Sequence, residues 1–237
     1  MKKYLSQVCK NFGLVLEDYQ LEQFELYYQY LMKINQVMNL TAITEEREVV
    51  LKHFLDSISV LKYHSFDSGL SVIDVGTGAG FPGIPLAILL PEVKFTLMDS
   101  LNKRIKFLDE VIKICGLSNV MCIHSRAEEL ARLADYREQF DICVSRAVAN
   151  LSVLLEYSIP FIKKGGFFIS YKSAMVENEL SNSINAQNKL CCKLKKQIEF
   201  SLENDTDYSR NLLFFQKFDN TSEKYPRQNG IPKKKPL

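Results

Sequence analysis

The sequence predicts an α/β fold: a doubly wound, mostly parallel seven-stranded sheet behind an N-terminal helical extension. Three observations predict it. Apolar spacing is helical up to about residue 64. From residue 70, short runs rich in Val, Ile and Phe alternate with helical segments, the pattern of parallel βαβ units in a sheet covered on both faces. The last two runs are joined only by the polar connection Glu203 to Arg210, too short for a crossover helix, so these strands should pair antiparallel.

Residues 1–64 form the helical extension. Leu21, Phe24, Tyr28 and Leu31 recur at spacings of three and four and share one helix face. Thr44 is placed to cap a second long helix carrying Val50, Phe54, Ile58 and Leu61. Tyr27, Tyr28 and Tyr30 read as core with an amphipathic rim rather than as a platform for stacked bases. Residues 65–218 supply the sheet, with strands expected at 70–75, 93–98, 120–123, 140–144, 167–171, 198–202 and 211–218. Five parallel strands closed by an antiparallel hairpin is the arrangement used by most S-adenosylmethionine (SAM) methyltransferases. Residues 219–237 form a basic tail. From Lys224 onward it has five basic residues, three prolines and no acid, and is expected to be extended and mobile.

Composition narrows the function classes. Thirty basic against 28 acidic residues leave a net charge of only +2, so any basic footprint for a polyanion must be local. The six cysteines contain no C-x-x-C pair, and no metal site is expected. No apolar segment follows Lys2 and Lys3, and the longest apolar stretch, Ile84 to Leu90, is far short of a membrane span. A cytoplasmic, reducing location and no membrane partner are expected.

The densest information is Val72-Ile73-Asp74-Val75-Gly76-Thr77-Gly78-Ala79-Gly80-Phe81-Pro82-Gly83, a buried strand running into a glycine turn that opens a helix. A dinucleotide fingerprint would place its third glycine at Phe81. The observed spacing, with glycines at 76, 78 and 80, matches a SAM-binding turn instead, in which the ligand's amino-acid end needs backbone contacts and a nearby polar group such as Asp74. Asp99 ends the second strand, where an acid can accept from both ribose hydroxyls. After the third strand come Ser125-Arg126-Ala127-Glu128-Glu129. That loop flanks the adenine in SAM enzymes, which makes Ala127 and Glu128 candidates. Equally, Glu128 and Glu129 suit the first turn of a helix.

The acceptor is approached by exclusion. Cytosine C5 transfer needs a thiolate, in a Pro-Cys or Thr-Cys context that does not occur here. Exocyclic amine methylation uses an Asn/Asp-Pro-Pro-aromatic turn after the fourth strand, where this chain has Ser145-Arg146-Ala147-Val148-Ala149-Asn150. A ring nitrogen or an oxygen remains. Guanine N7 carries an unprotonated lone pair near neutral pH, so it needs alignment rather than a general base. In RNA helices N7 lies in a deep, narrow groove, so the target must be a loop or an opened base.

In order along the chain stand Asn39-Leu40-Thr41, His53-Phe54-Leu55-Asp56-Ser57, Asp74 to Gly83, Leu97-Met98-Asp99-Ser100, Ser125-Arg126-Ala127-Glu128, Ser145-Arg146-Ala147 and Tyr171-Lys172. This series resembles the bacterial 16S rRNA guanine-N7 methyltransferase family, also called RsmG or glucose-inhibited division protein B (GidB), over roughly residues 35–218. The tail from Lys224-Tyr225-Pro226-Arg227 to Pro232 is similar to that of Gram-positive members. The resemblance implies a Rossmann-like fold, SAM as methyl donor, and a guanine in the 530 loop of 16S rRNA, or of the small ribosomal subunit, as acceptor. By position it implies cofactor contacts at Gly76, Phe81, Ala127, Glu128 and Arg146. Ser173 departs from the glycine that many members have after the lysine.

Taken together, the expected cofactor residues are Asp74, Gly76, Thr77, Gly78, Gly80, Phe81, Asp99, Ala127, Glu128 and Arg146. Arg126, Arg146, Lys172, Arg210, Lys224 and Arg227 are the candidate RNA contacts; alternatively they are solvated surface cations. His53 is either a satisfied core histidine or a substrate contact. No covalent nucleophile is expected. Two other classes share features with the chain. A nicotinamide-dependent oxidoreductase would want glycine at Phe81 and a second domain, and a non-catalytic RNA-binding protein would not require the whole glycine turn.

Overall fold

A computed structural model describes residues 1–146, 149–173, 176–203 and 208–237. The expected turn residues Ala147 and Val148, and part of the connection after Glu203, lie outside them. The chain opens with α1 (Lys2–Phe12), ended by Gly13 in a left-handed conformation, φ 94°. Next comes α2 (Asp18–Met38), whose start is held by a reciprocal capping box between Glu17 and Gln20. The second helical stretch is composite: α3 (Glu46–Val49), a π-helical turn (Val50–Leu55), α4 (Asp56–Ile58) and a 3-10 turn (Ser59–Lys62). Its cap is Glu45, which accepts the Glu48 N–H, rather than the expected Thr44.

The remaining elements follow as β1 (Ser71–Val75), α5 (Gly83–Leu89), β2 (Lys94–Asp99), α6 (Asn102–Cys115), β3 (Val120–His124), α7 (Ala127–Leu130) and β4 (Phe140–Arg146). After these come α8 (Leu151–Ser158), β5 (Ile162–Ser173), α9 (Glu177–Asn182), α10 (Ile184–Lys189), β6 (Cys192–Ser201), β7 (Ser209–Lys217) and α11 (Ile231–Lys234). The strands form a seven-stranded sheet in the order β3-β2-β1-β4-β5-β7-β6. The first five are parallel, and β7 runs antiparallel to both β5 and β6, as the short final connection requires. The strand order reverses between β1 and β4, and a crevice opens there at the carboxyl ends.

Strand alternation divides the core in two. On β1, Val72 faces one layer while Ile73 and Val75 face the other. The first layer holds α1, α2, the composite helix, α5 and α6; the second holds α7, α8, α10 and the C-terminal segment. The helices of residues 1–64 are therefore packed into one face of the sheet, with Phe24, Tyr27, Leu31 and Phe54 fully buried.

The basic tail departs from the expected extended, mobile segment. Tyr225 is buried in the second core, and Arg137 donates to the carbonyls of Thr221 (2.7 Å) and Tyr225 (2.9 Å). Arg227 makes a two-pronged ion pair with fully buried Glu156, with Nε–Oε1 2.9 Å and Nη2–Oε2 2.6 Å. Composition suggested a solvated segment because it counts charges without locating the buried acid that one of them neutralises.

A cofactor-sized cleft at the topological switch

A cleft of about 870 Å³ lies at the β1/β4 switch, within the usual range for small-molecule sites. The turn after β1 forms its floor. Gly76, Gly78 and Gly80 have φ values of 73°, 65° and 103°, a region that L side chains rarely adopt. The turn is tied to β2 by the Gly76 and Thr77 N–H groups, which donate to the Met98 carbonyl at 3.0 and 3.1 Å.

Asp74 and Gly80 do not line the cleft; they shape the turn from beneath, which corrects the expectation that Asp74 offers a polar group directly to a ligand. Asp74 is fully buried, and its Oδ2 accepts from the Thr77 hydroxyl (2.7 Å) and the Gly83 N–H (2.9 Å), while Oδ1 has no partner. Burial pushes its carboxyl up to about 7, against the opposing pull of those two hydrogen bonds. Gly80 is closed in: a Cβ there would lie 2.7 Å from Ile84 Cγ1 and 2.9 Å from the Tyr27 hydroxyl. That hydroxyl donates to the Ala79 carbonyl at 2.5 Å, so a residue of α2 clamps the turn across the sheet face.

Asp99 does stand in the cleft wall. Its carboxylate accepts from the Gly78 N–H (3.0 Å), the Leu101 N–H (2.9 Å) and Arg104 Nη1 (3.0 Å). A carboxylate offers about four acceptor positions, so capacity remains for a ligand hydroxyl, and Arg104, about one-third exposed, is the partner free to move. Gly76, Thr77, Gly78, Phe81, Ala127, Glu128 and Arg146 complete the expected cofactor residues that the fold brings to this cleft.

The opposite end is organised around Arg146. Its Nη1 donates to Asp56 Oδ2 (2.7 Å) and to the Lys52 carbonyl (3.1 Å), while its guanidinium sits 5.0 Å above the Phe81 ring centroid. Nη2 faces His53 Nδ1 at 3.3 Å. Arginine can only donate, so His53 Nδ1 accepts and the ring proton resides on Nε2, which donates to Thr41 Oγ1 at 2.8 Å. The ring is stacked on Phe81 (4.5 Å, 19°), and burial, aided by the Arg146 charge, holds it neutral with its pKa pushed down to about 3. His53 thus has its hydrogen bonds satisfied internally, as the first alternative holds, and its ring also lines the cleft.

The candidate RNA contacts divide. Arg126, Arg146, Lys172 and Arg210 line the cleft, whereas Lys224 and Arg227 do not. Lys172 pairs with Glu179 (2.6 Å), Arg210 pairs with Asp56 (3.3 Å), and Arg126 donates to Asn229 (3.3 Å). Arg227 is committed to Glu156 and does not offer the free charge expected of it, while Lys224 is exposed, with its ammonium over the Tyr225 ring. Sequence reasoning missed Tyr27, Asp56 and Arg104 as supports of the site. For Asp56 the signal was present, as the one acid between Val50 and Val60, on a helix that carries Val50, Phe54 and Ile58 to the core.

Two outcomes follow from the turn. A Cβ on Gly78 meets nothing nearer than the Gly76 carbonyl at 4.0 Å, so Gly78→Ala should fold, at a cost of about 1–2 kcal/mol for its left-handed backbone, yet lose SAM binding by placing a methyl in the cleft. Gly80→Ala collides with the core and should be the less stable of the two. Urea denaturation and calorimetric titration with SAM check both. The second concerns pH. Because the Asp74 pKa is raised on folding, the native state binds more protons between about 4 and 7, and its contribution to stability falls as pH rises through that window. The stability of Asp74→Asn relative to the parent should therefore increase from pH 4 to pH 7 in urea melts; a constant difference would contradict the buried carboxyl.

Comparison with known proteins accords with this geometry. Residues 20–212 match the family model described as rRNA small subunit methyltransferase G. A protein of Lachnoclostridium phytofermentans described as ribosomal RNA small subunit methyltransferase G is 51% identical over 231 residues, covering 98% of this chain and 95% of its own. One of Clostridium kluyveri with the same description is 48% identical over 233 residues, covering 98% and 97%. Among solved structures, M. jannaschii TYW2 in complex with AdoMet superimposes with a TM-score of 0.56 at 16% identity, over 75% of this chain and 80% of that one. A SAM-dependent methyltransferase from Aquifex aeolicus gives 0.55 at 16% identity, over 75% and 96%. At such identities the solved structures speak for the fold alone, and they agree with the doubly wound sheet. Sequence, fold and cleft converge: the chain belongs to the rRNA small subunit methyltransferase G (GidB) family.

Proposed function

We propose that the protein is a SAM-dependent methyltransferase acting on 16S rRNA of the small ribosomal subunit, and that it methylates N7 of a guanine in the 530 loop by direct in-line transfer. The observation that carries this reading is the two-ended cleft, with a glycine turn and acid at one end and a stacked, cation-rich recess at the other. Bound SAM supplies an electrophilic methyl group. The chain's own residues bind and orient. The Gly76–Gly80 turn gives close backbone approach, Asp99 offers acceptor capacity beside it, and Ala127 and Glu128 form the facing wall.

At the acceptor end, the His53 ring is backed by Phe81 beside Arg146 and lines the cleft, a fixed planar group against which a base can be placed. Among the described residues no cysteine lines the cleft; the transfer proposed here needs no covalent nucleophile. His53, held neutral, is a hydrogen-bonding and stacking group rather than a cation. Guanine N7 requires no proton removal, so alignment suffices. Among the described residues, seven cationic and four acidic side chains line the cleft, which gives a chain of net charge +2 a local attraction for phosphate. No helix among the described residues is long and apolar enough to cross a membrane.

The test is chemical cleavage of 16S rRNA. Borohydride and aniline treatment followed by primer extension should give a strand break in the 530 loop for parent cells and none for cells lacking the gene, with restoration by the parent gene but not by Gly78→Ala. An identical break in the deletion strain would overturn the assignment of the acceptor.

A further inference from the structure

The C-terminal segment reaches the cleft itself. Asn229, Gly230 and Lys233 lie in its wall beside Arg126, Ala127 and Glu128. The Gly230 N–H donates to Glu128 Oε1 at 3.2 Å, and Asn229 Oδ1 accepts from Arg126 Nη1 at 3.3 Å. We infer that residues 229–233 are part of the SAM-binding site, closing the side of the cleft that faces Ala127 and Glu128. The inference rests on the reading of the cleft as a SAM site and extends that site to a segment outside the sheet domain.

The segment is held in one place by contacts that a solvated tail would not have. Besides its Nε and Nη2 bonds to Glu156, Arg227 donates its backbone N–H to the same carboxylate at 2.8 Å and Nη2 to the Lys235 carbonyl at 2.8 Å. Desolvating an arginine–carboxylate pair is costly, and its return is a fixed geometry. That geometry delivers Gln228 to Gly230 and the short helix α11 beside Arg126 and Glu128, with Gly230 at φ 80° making the bend. Glu128 is buried, and its Oε1 accepts from the Gly230 N–H. The segment therefore sets the orientation of a residue that lines the ligand space as well as enclosing it. The Asn229 amide, the Glu128 carboxylate and the neighbouring backbone offer the mixed donors and acceptors that a nucleoside requires.

The test compares the full chain with a variant lacking residues 228–237, which retains the Tyr225 plug and the Arg227–Glu156 pair. Calorimetric titration with SAM should show a dissociation constant at least tenfold higher for the shortened chain, with an unliganded melting temperature within a few degrees of the parent. Equal constants would overturn the inference, as would a shortened chain that keeps its SAM affinity and loses only affinity for RNA. If the shortened chain does not fold, the Asn229→Ala, Lys233→Ala double variant takes its place. A threefold or greater loss of SAM affinity supports the inference, and an unchanged constant overturns it. Absence of SAM binding by the parent chain is a different result: it removes the cofactor reading and this inference with it.

Discussion

The fixed shape of the turn from Gly76 to Gly80 is the constraint on which the site depends. Its left-handed glycines leave the backbone exposed on the cleft side, and such a backbone is held only if its other side is fully specified. Three contacts do this: Asp74 from below, the β2 carbonyl of Met98 alongside, and the Tyr27 hydroxyl from α2. The unpartnered oxygen of Asp74 is a local expense of stability accepted directly beneath the turn that floors the cleft, as expected near functional sites. Because Tyr27 belongs to the N-terminal helices, those helices are part of the site's foundation rather than an appendage.

The second organising interaction is the web around Arg146. Asp56 carries two arginines, Arg146 and Arg210, from strands on either side of β5. The π-helical turn beside it brings the Lys52 carbonyl and the His53 ring to the same guanidinium, a use of π-turns common at functional sites. Tyr171 adds a hydroxyl bond to the Ser57 carbonyl at 2.8 Å, so the composite helix is fastened to the carboxyl ends of β4 and β5. The cations of this recess are thus oriented by buried partners. Such a surface recognises by placement more than by bulk charge, in keeping with a chain that is nearly neutral overall.

Much of this was legible in the sequence, and the failures have physical causes. The parallel strands were visible because strands buried on both faces read as unbroken apolar runs. The start of β6 was not: Lys193, Lys195 and Lys196 make its first half polar, as edge strands are. A bulge between Leu194 and Lys196 then moves the apolar residues from one core to the other, Leu194 to the second and Ile198 and Phe200 to the first. Such a shift breaks the period-two pattern by which a strand is recognised. In the site, Gly76, Gly78 and Asp99 were identifiable because spacing alone places them. The lower role of Gly80 was hidden because it depends on Tyr27, some fifty residues earlier, and that of Asp74 because its bonds to Thr77 and Gly83 exist only once the turn has folded back over it. The tail was misread because a buried Glu156 has no mark in sequence until its partner is known.

The measurement closest to the central claim is amide hydrogen exchange of the full chain with and without saturating SAM. The geometry requires protection to concentrate in residues 75–83 at the glycine turn and 99–104 after β2, where Gly78 and Asp99 are already bonded. Slowed exchange in those two segments is the result expected. Saturation with SAM that leaves their exchange unchanged would contradict the placement of the cofactor in this cleft.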